Sequence, residues 1–452
     1  MTIFHDLLKH PKSSPCIVED TITRSYGDVE EAARTVLKIL QERGVSAHSV
    51  VALQTDRDTA SIVTLIALLE MGCSVLLTNS RWPQTMHAEA IQRVAARHIV
   101  TAASFDEIDV TPTPNAGPRP SWATKPALMV ATSGSTGVPK LALLPLSSLL
   151  VNARTSAPAC RLTPNDCWHL SLPLFHVGGL GILFRTLITG SSLSLTHSLE
   201  NTKRGPITHL SIVPTQLYRL LRDPSSHETL RRQKVILVGG APIGPRVITQ
   251  ALELGLPVMT TYGLTEMGST VTLASSRLIA EGHSISLGVP LPRREMKLSA
   301  NGEVLTRGET LFAGYITPDG VSLPLVDADW FPTGDIGRLL ADGTLAILGR
   351  RDAQFISGGE NIHPEMIENA LTSLPDIIAA CVVPLPDDEF GERPFAFVIS
   401  EGASLDLNEI REPLRELIPS FALPIGVQEA PKELLTPTGK ISRAMARAAV
   451  KR

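Results

Sequence analysis

Aromatic residues are scarce, 4% of 452, and charge is balanced: 41 Lys and Arg against 45 Asp and Glu leave a formal net charge of −4. That balance excludes the broad basic field of a nucleic-acid binder and, with 43% hydrophobic residues, the composition of a disordered chain. Cysteine is sparse too. Cys16, Cys73, Cys160, Cys167 and Cys381 lie scattered, with no C-x-x-C pair and no histidine cluster at metal-ligand spacing, so reduced thiols are expected instead of a disulfide frame or a zinc site. No run approaches the roughly 18 apolar residues of a membrane span. The first residues, with His5, Asp6, Lys9, His10 and Lys12, lack a secretory core. A soluble, cytoplasmic protein with a small-molecule ligand and at least two domains is expected.

What the chain does have is a polar turn behind an apolar run. Pro126 to Val130 reads as a buried strand and leads into Ala131, Thr132, Ser133, Gly134, Ser135, Thr136, Gly137, Val138, Pro139 and Lys140. Open α/β sheets bind ligands at the carboxyl ends of their strands. The two glycines let backbone N–H groups approach an anion, the hydroxyls add donors and Lys140 adds positive charge. The G-x-x-G-x-x-K spacing is not a Walker A loop, and Pro139 disfavours helix at Val138, so a flexible loop over phosphates is predicted. A Gly/Ser/Thr cluster is also what a plain linker looks like.

The remaining segments follow in a definite order. Residues 1 to about 125 alternate strand-like and helix-like stretches, which implies parallel sheet with crossover helices. His176 is placed at a Gly-rich bend, Gly178-Gly179, and Arg185 interrupts an apolar run from Gly181 to Ile188. A guanidinium there either snorkels or meets an anion, because an unpaired buried charge is costly. Gly239, Gly240, Ala241 and Pro242 follow one predicted strand, and Tyr262, Gly263, Leu264, Thr265 and Glu266 follow the next. An aromatic face and a carboxylate at one sheet edge suit adenine and magnesium, although Tyr262 also fits a core and Glu266 a helix start. From about 285 the pattern turns to hairpins, marked by Asn301-Gly302 and Asp342-Gly343 and containing Asp335, Arg350 and Asp352. A smaller α+β unit closes the chain, with Gly358-Gly359 near its start and Lys440 in a late loop.

Taken together, Thr132 to Lys140, Tyr262 to Glu266, Trp330 to Asp335, Gly343 to Asp352, Gly358 to Ile362 and Pro437 to Lys440 resemble the acyl-adenylate-forming superfamily. The resemblance implies an α/β fold: an N-terminal domain over 1–350 with parallel-rich sheets and a small antiparallel subdomain, a hinge at 351–352, and a mobile α+β C-terminal domain over 353–452. It implies that Thr132, Ser133, Gly134, Ser135, Thr136, Gly137 and Lys140 hold the ATP phosphates. Gly239 to Pro242 with Tyr262 and Gly263 would hold the adenine, Thr265 the α-phosphate, Glu266 the Mg²⁺, and Asp335 and Arg350 the ribose. Lys440 would be the catalytic lysine of adenylation, Asp352 the hinge, and the Gly358-Gly359 loop would line the path of the coenzyme A thiol.

Leu170 to Ile182, Ser211 to Leu217 and Phe355 to Glu360 look most like the o-succinylbenzoate–CoA ligases of menaquinone biosynthesis. That likeness implies an acid with two carboxylates, Arg185 partnering the one that does not react and His176 flanking the acyl group. Ligases for other acids, stand-alone adenylation enzymes loading a carrier protein, and a non-catalytic nucleotide sensor remain alternatives. No nucleic-acid partner is expected, and a homodimer is left open.

Overall fold

The computed structural model describes residues 3–80, 82–114, 119–132, 140–196, 207–276, 278–279, 284–374, 376–400, 407–436 and 441–450. Local chemistry explains its helices. The Tyr26–Glu42 helix opens on a capping box: Ser25 Oγ accepts from the Asp28 N–H at 3.1 Å, and Asp28 returns the contact to the Ser25 N–H at 2.7 Å. Its inward residues, Tyr26, Val29, Ala33, Val36 and Leu40, keep helical spacing. Thr59–Glu70 is capped by Asp58 and buried everywhere except Glu70, as a helix between layers must be.

Two large sheets carry the first part of the chain. In the eight-stranded sheet the strands Ala127–Thr132, Ser74–Asn79, Val50–Thr55 and His98–Ala102 lie side by side in parallel, with antiparallel neighbours at both edges. In the nine-stranded sheet a parallel core runs from Val258–Leu264 through Val235–Val238, His209–Ile212, Cys167–His169 and Ser192–Ser194 to Pro15–Val18. A four-stranded antiparallel sheet follows: Arg294–Leu298, Glu303–Gly308, Phe331–Leu339 and Leu345–Arg350. Its turns use glycine where backbone φ is positive, +79° at Gly302 and +80° at Gly343.

The closing α+β unit is built on the long hairpin Ile377–Asp387 and Gly391–Ser400, with helices Pro364–Ser373 and Leu407–Leu417. Its core includes Ile367, Leu371, Val382, Val398 and Leu414. The Pro364–Ser373 helix packs on the Leu345–Arg350 strand so closely that a Cβ on Gly349 would lie 2.5 Å from Glu365 Oε2.

One local expectation changes. Gly178 and Gly179 do not form a bend: they lie inside the Val177–Thr189 helix. Glycine is needed there for approach, since a Cβ on Gly179 would sit 2.1 Å from the Pro173 carbonyl oxygen. The apolar residues Leu141 to Pro145 belong to the strand Lys140–Pro145, which returns antiparallel to Ala127–Thr132. Among the described residues no helix is long and apolar enough to cross a membrane.

Candidate active site

A remote strand and the paired hairpin strand both reach Asp335. The Tyr262 hydroxyl donates to Asp335 Oδ2 at 2.6 Å, and Arg350 Nη1 donates to Asp335 Oδ1 at 3.0 Å. Strand pairing accounts for the second contact, because Asp335 and Arg350 are register partners. Arg350 also binds Asp352 through Nε at 3.0 Å, which joins the predicted hinge to the same network. Burial pushes the Asp335 carboxyl up, against the pull of Arg350. Burial also disfavours the Arg350 charge, but Asp352 and Asp335 together outweigh it and hold the guanidinium above its ordinary range.

Glu266 sits on a short turn, Thr265–Met267, closed by Gly268 at φ +66°. Its Oε1 accepts from the Tyr315 hydroxyl at 2.5 Å, and Lys140 Nζ stands 5.0 Å from the centre of the Tyr315 ring. Burial first, then the Glu266 charge, pushes the Tyr315 hydroxyl up, so it remains a donor. Lys140 is in register with Thr132 across the hairpin, and Tyr315 is in register with Ala142 on the next strand. The loop residues Ser133, Gly134, Ser135, Thr136 and Gly137 lie outside the described residues, as does Lys440.

Among the described residues no group of three or more His, Cys, Asp or Glu could enclose a metal ion. A single carboxylate such as Glu266 nevertheless fits Mg²⁺, which keeps waters and takes phosphate oxygens as ligands.

Several predicted glycines are required sterically. Gly239 follows the Val235–Val238 strand, where a Cβ would meet Thr261 Cγ2 at 2.6 Å, and Gly240 has φ +77° ahead of Ala241 and Pro242. A Cβ on Gly263 would meet the Ser269 carbonyl oxygen at 2.3 Å. Gly358 and Gly359 make the turn between Phe355–Ser357 and Glu360–Ile362, and Gly358 approaches Phe390 of its own unit.

The acid-side candidates lie on one helix. His176 is its exposed N-cap, with its ring 4.7 Å from that of Phe175. Arg185, near the middle of the helix, is 1% exposed, so it does not snorkel. Its Nε donates to Ser156 Oγ at 2.8 Å and its Nη2 to Thr270 Oγ1 at 2.7 Å, while the guanidinium lies 5.2 Å from the centre of the Trp168 ring. Burial lowers its pKa. Both hydrogen-bond partners are neutral, and among the described residues no carboxylate pairs with it. The side chain runs beside Gly181 and Ser269, the latter next to Gly268, which closes the turn that carries Glu266.

Residues 4–316 match the AMP-binding enzyme family, and residues 366–440 match the AMP-binding enzyme C-terminal domain. The chain belongs to the AMP-binding enzyme family. It is 36% identical to the 2-succinylbenzoate–CoA ligase of Salmonella typhimurium over 410 residues, which span 89% of this chain and 87% of the relative. The 2-succinylbenzoate–CoA ligase of Escherichia coli is 34% identical over the same shares of the two chains. Among solved structures, a variant of E. coli MenE with bound OSB-AMS superposes with a TM-score of 0.83 at 29% identity, covering 99% of this chain and 98% of that one. ATP-bound MatB from Rhodopseudomonas palustris, at 22% identity and TM-score 0.85 over 100% and 99% of the two chains, shares the fold.

Within this AMP-binding enzyme the sequence reading missed Tyr315 and Arg294. A signal for the first was present: only four tyrosines occur in the chain, and two of them donate to candidate site carboxylates. Arg294 stands between Arg293 and Glu295 in the sequence, yet it is 5% exposed.

Proposed function

We propose that this chain is an AMP-forming 2-succinylbenzoate–CoA ligase. The observation that carries the substrate assignment is Arg185 on the helix that starts at His176, a buried guanidinium held by neutral hydroxyls. A diacid gives that charge a partner: one carboxylate reacts and the other pairs with Arg185. The relatives at 34–36% identity, named for this substrate, support the same reading.

In the first half-reaction a carboxylate oxygen of the acid attacks the α-phosphorus of ATP and pyrophosphate leaves. In the second the coenzyme A thiolate attacks the acyl carbonyl carbon and AMP leaves. The first step brings two anions together, so the protein's task is charge neutralisation and positioning. Thr132 to Lys140 would hold the phosphates, Gly239 to Pro242 and Tyr262 with Gly263 the adenine, Thr265 the α-phosphate, and Asp335 with Arg350 the ribose hydroxyls. Glu266 would hold the Mg²⁺, which neutralises phosphate charge when bound. His176 would flank the acyl group. Lys440 would bridge the acid and the α-phosphate, and a hinge at Asp352 between residues 1–350 and 353–452 would withdraw it and bring Gly358 and Gly359 to the thiol path.

Pyrophosphate exchange with Mg²⁺ and ATP tests the reading, using 2-succinylbenzoate, benzoate, a medium-chain fatty acid and an amino acid. Exchange driven by 2-succinylbenzoate, followed by thioester on adding coenzyme A, is expected. Exchange with another acid alone would discard the substrate, and none with any acid would discard the ligase.

A further inference from the structure

Arg185 has a buried companion. Arg294, at the start of the Arg294–Leu298 strand, donates through Nη1 to the Thr270 carbonyl oxygen and through Nη2 to Thr155 Oγ1. Arg185 meets the side chain of the same threonine, at Thr270 Oγ1, and the neighbouring hydroxyl on the same helix, Ser156. Two guanidiniums therefore share Thr270 on one side and consecutive residues of the Leu146–Ala159 helix on the other.

The hydroxyls are oriented to accept. Ser156 Oγ donates its own proton to the Asn152 carbonyl oxygen at 2.7 Å, and Thr155 Oγ1 donates to that of Val151 at 2.8 Å, which leaves lone pairs for the arginines. Asn152 Nδ2 fixes the backbone by donating to Met267 and Thr270 carbonyl oxygens at 2.9 and 3.1 Å. Arginine stays charged in such surroundings. Burial, and then the Arg185 charge, pushes the Arg294 pKa down to about 10, so the two cations oppose one another. Among the described residues no carboxylate neutralises either. An anion entering beside Arg185 would relieve both.

We infer that Arg294 is a specificity-determining positioning residue: with Arg185 it forms a dicationic floor that favours acids carrying a second, unreacting carboxylate. It acts through Thr270, whose backbone carbonyl it holds while the hydroxyl of the same residue accepts from Arg185, and through its own charge. This inference rests on the ligase reading above and deepens it.

The test measures kcat/KM in pyrophosphate exchange for 2-succinylbenzoate and for its two monoacid analogues, 4-oxo-4-phenylbutanoate and 2-butanoylbenzoate. The analogue that turns over is the comparator. Arg294→Gln is expected to lower the diacid-to-monoacid ratio about tenfold, the scale of one lost charge interaction at moderate distance. Arg294→Lys, which keeps the charge, is expected to hold the ratio within about threefold of the wild type on the same scale. An equal fall for both acids would make Arg294 a structural tie and overturn the inference, as would an unchanged ratio. Should Arg294→Gln fail to fold, as read by thermal unfolding, a folded Arg294→Lys that loses the ratio would overturn it equally. Failure of the wild type to use 2-succinylbenzoate would overturn the ligase reading itself, and this inference with it.

Discussion

The two ends of the candidate site handle charge in opposite ways. At the nucleotide end, cations and anions already satisfy each other: Arg350 joins Asp335 and Asp352, and Tyr315 links Glu266 to Lys140. At the acid end, Arg185 and Arg294 are buried on neutral oxygens. Removing one partner from a paired network strands the other, whereas an unneutralised cation has stabilisation in reserve for an incoming anion. On the function proposed above, the end around Asp335 and Glu266 would serve the nucleotide and the end around Arg185 an acid that carries an additional negative charge.

Lys440→Ala should give the largest effect and should fall on chemistry common to both ends. Adenylation is expected to drop by roughly two to three orders of magnitude or more, the scale of a lost electrostatic contact in the transition state. Thioester formation from preformed acyl-AMP should be largely kept. Separate assays of the half-reactions check this, and equal loss in both would remove the assigned role.

Tyr315→Phe sharpens the contrast from the nucleotide side. Loss of one hydrogen bond to Glu266 is expected to raise the KM for ATP by about three- to tenfold at limiting Mg²⁺, while the diacid-to-monoacid ratio holds. Initial rates over a grid of ATP and Mg²⁺ provide the reading. A lower melting temperature with an unmoved KM would make Tyr315 structural.

The smallest expected effect lies outside both ends, in the closing unit, where Glu368 faces Glu365, Arg443 and Cys381. Burial pushes the Glu368 pKa to about 7, from 4.5 in the unfolded chain, although Arg443 opposes the shift. The folded state therefore holds a proton that the unfolded state releases between these values, and stability falls as pH rises through that window. Glu368→Gln should flatten this slope, as chemical denaturation at pH 4.5, 6 and 7.5 would reveal. An unchanged slope would place the titration elsewhere.

Much of the architecture was legible because it is written locally. Apolar residues at helical spacing mark the Tyr26–Glu42 helix, short apolar runs mark parallel strands, and Asn301-Gly302 and Asp342-Gly343 mark hairpins. That Tyr262, Asp335 and Arg350 belong near one another was implied only by the family resemblance; the hydrogen bonds that join them were not legible. Tyr315 was hidden because its contact with Glu266 depends on pairing between Gly314–Thr317 and Lys140–Pro145, strands remote in sequence. Arg294 was hidden by its neighbour: Arg293 turns the chain at φ +68° and pairs with Glu309 at the surface, while the next residue faces inward. A run of charge in sequence does not reveal which member the strand will bury.

The most direct test of the central claim compares wild type with Arg185→Ala on 2-succinylbenzoate and on its reactive monoacid analogue. The account predicts that the diacid loses about 2 kcal/mol or more of kcat/KM, roughly thirtyfold, while the monoacid loses far less. An equal loss for the two acids would contradict it, and would make the buried arginine a part of the scaffold.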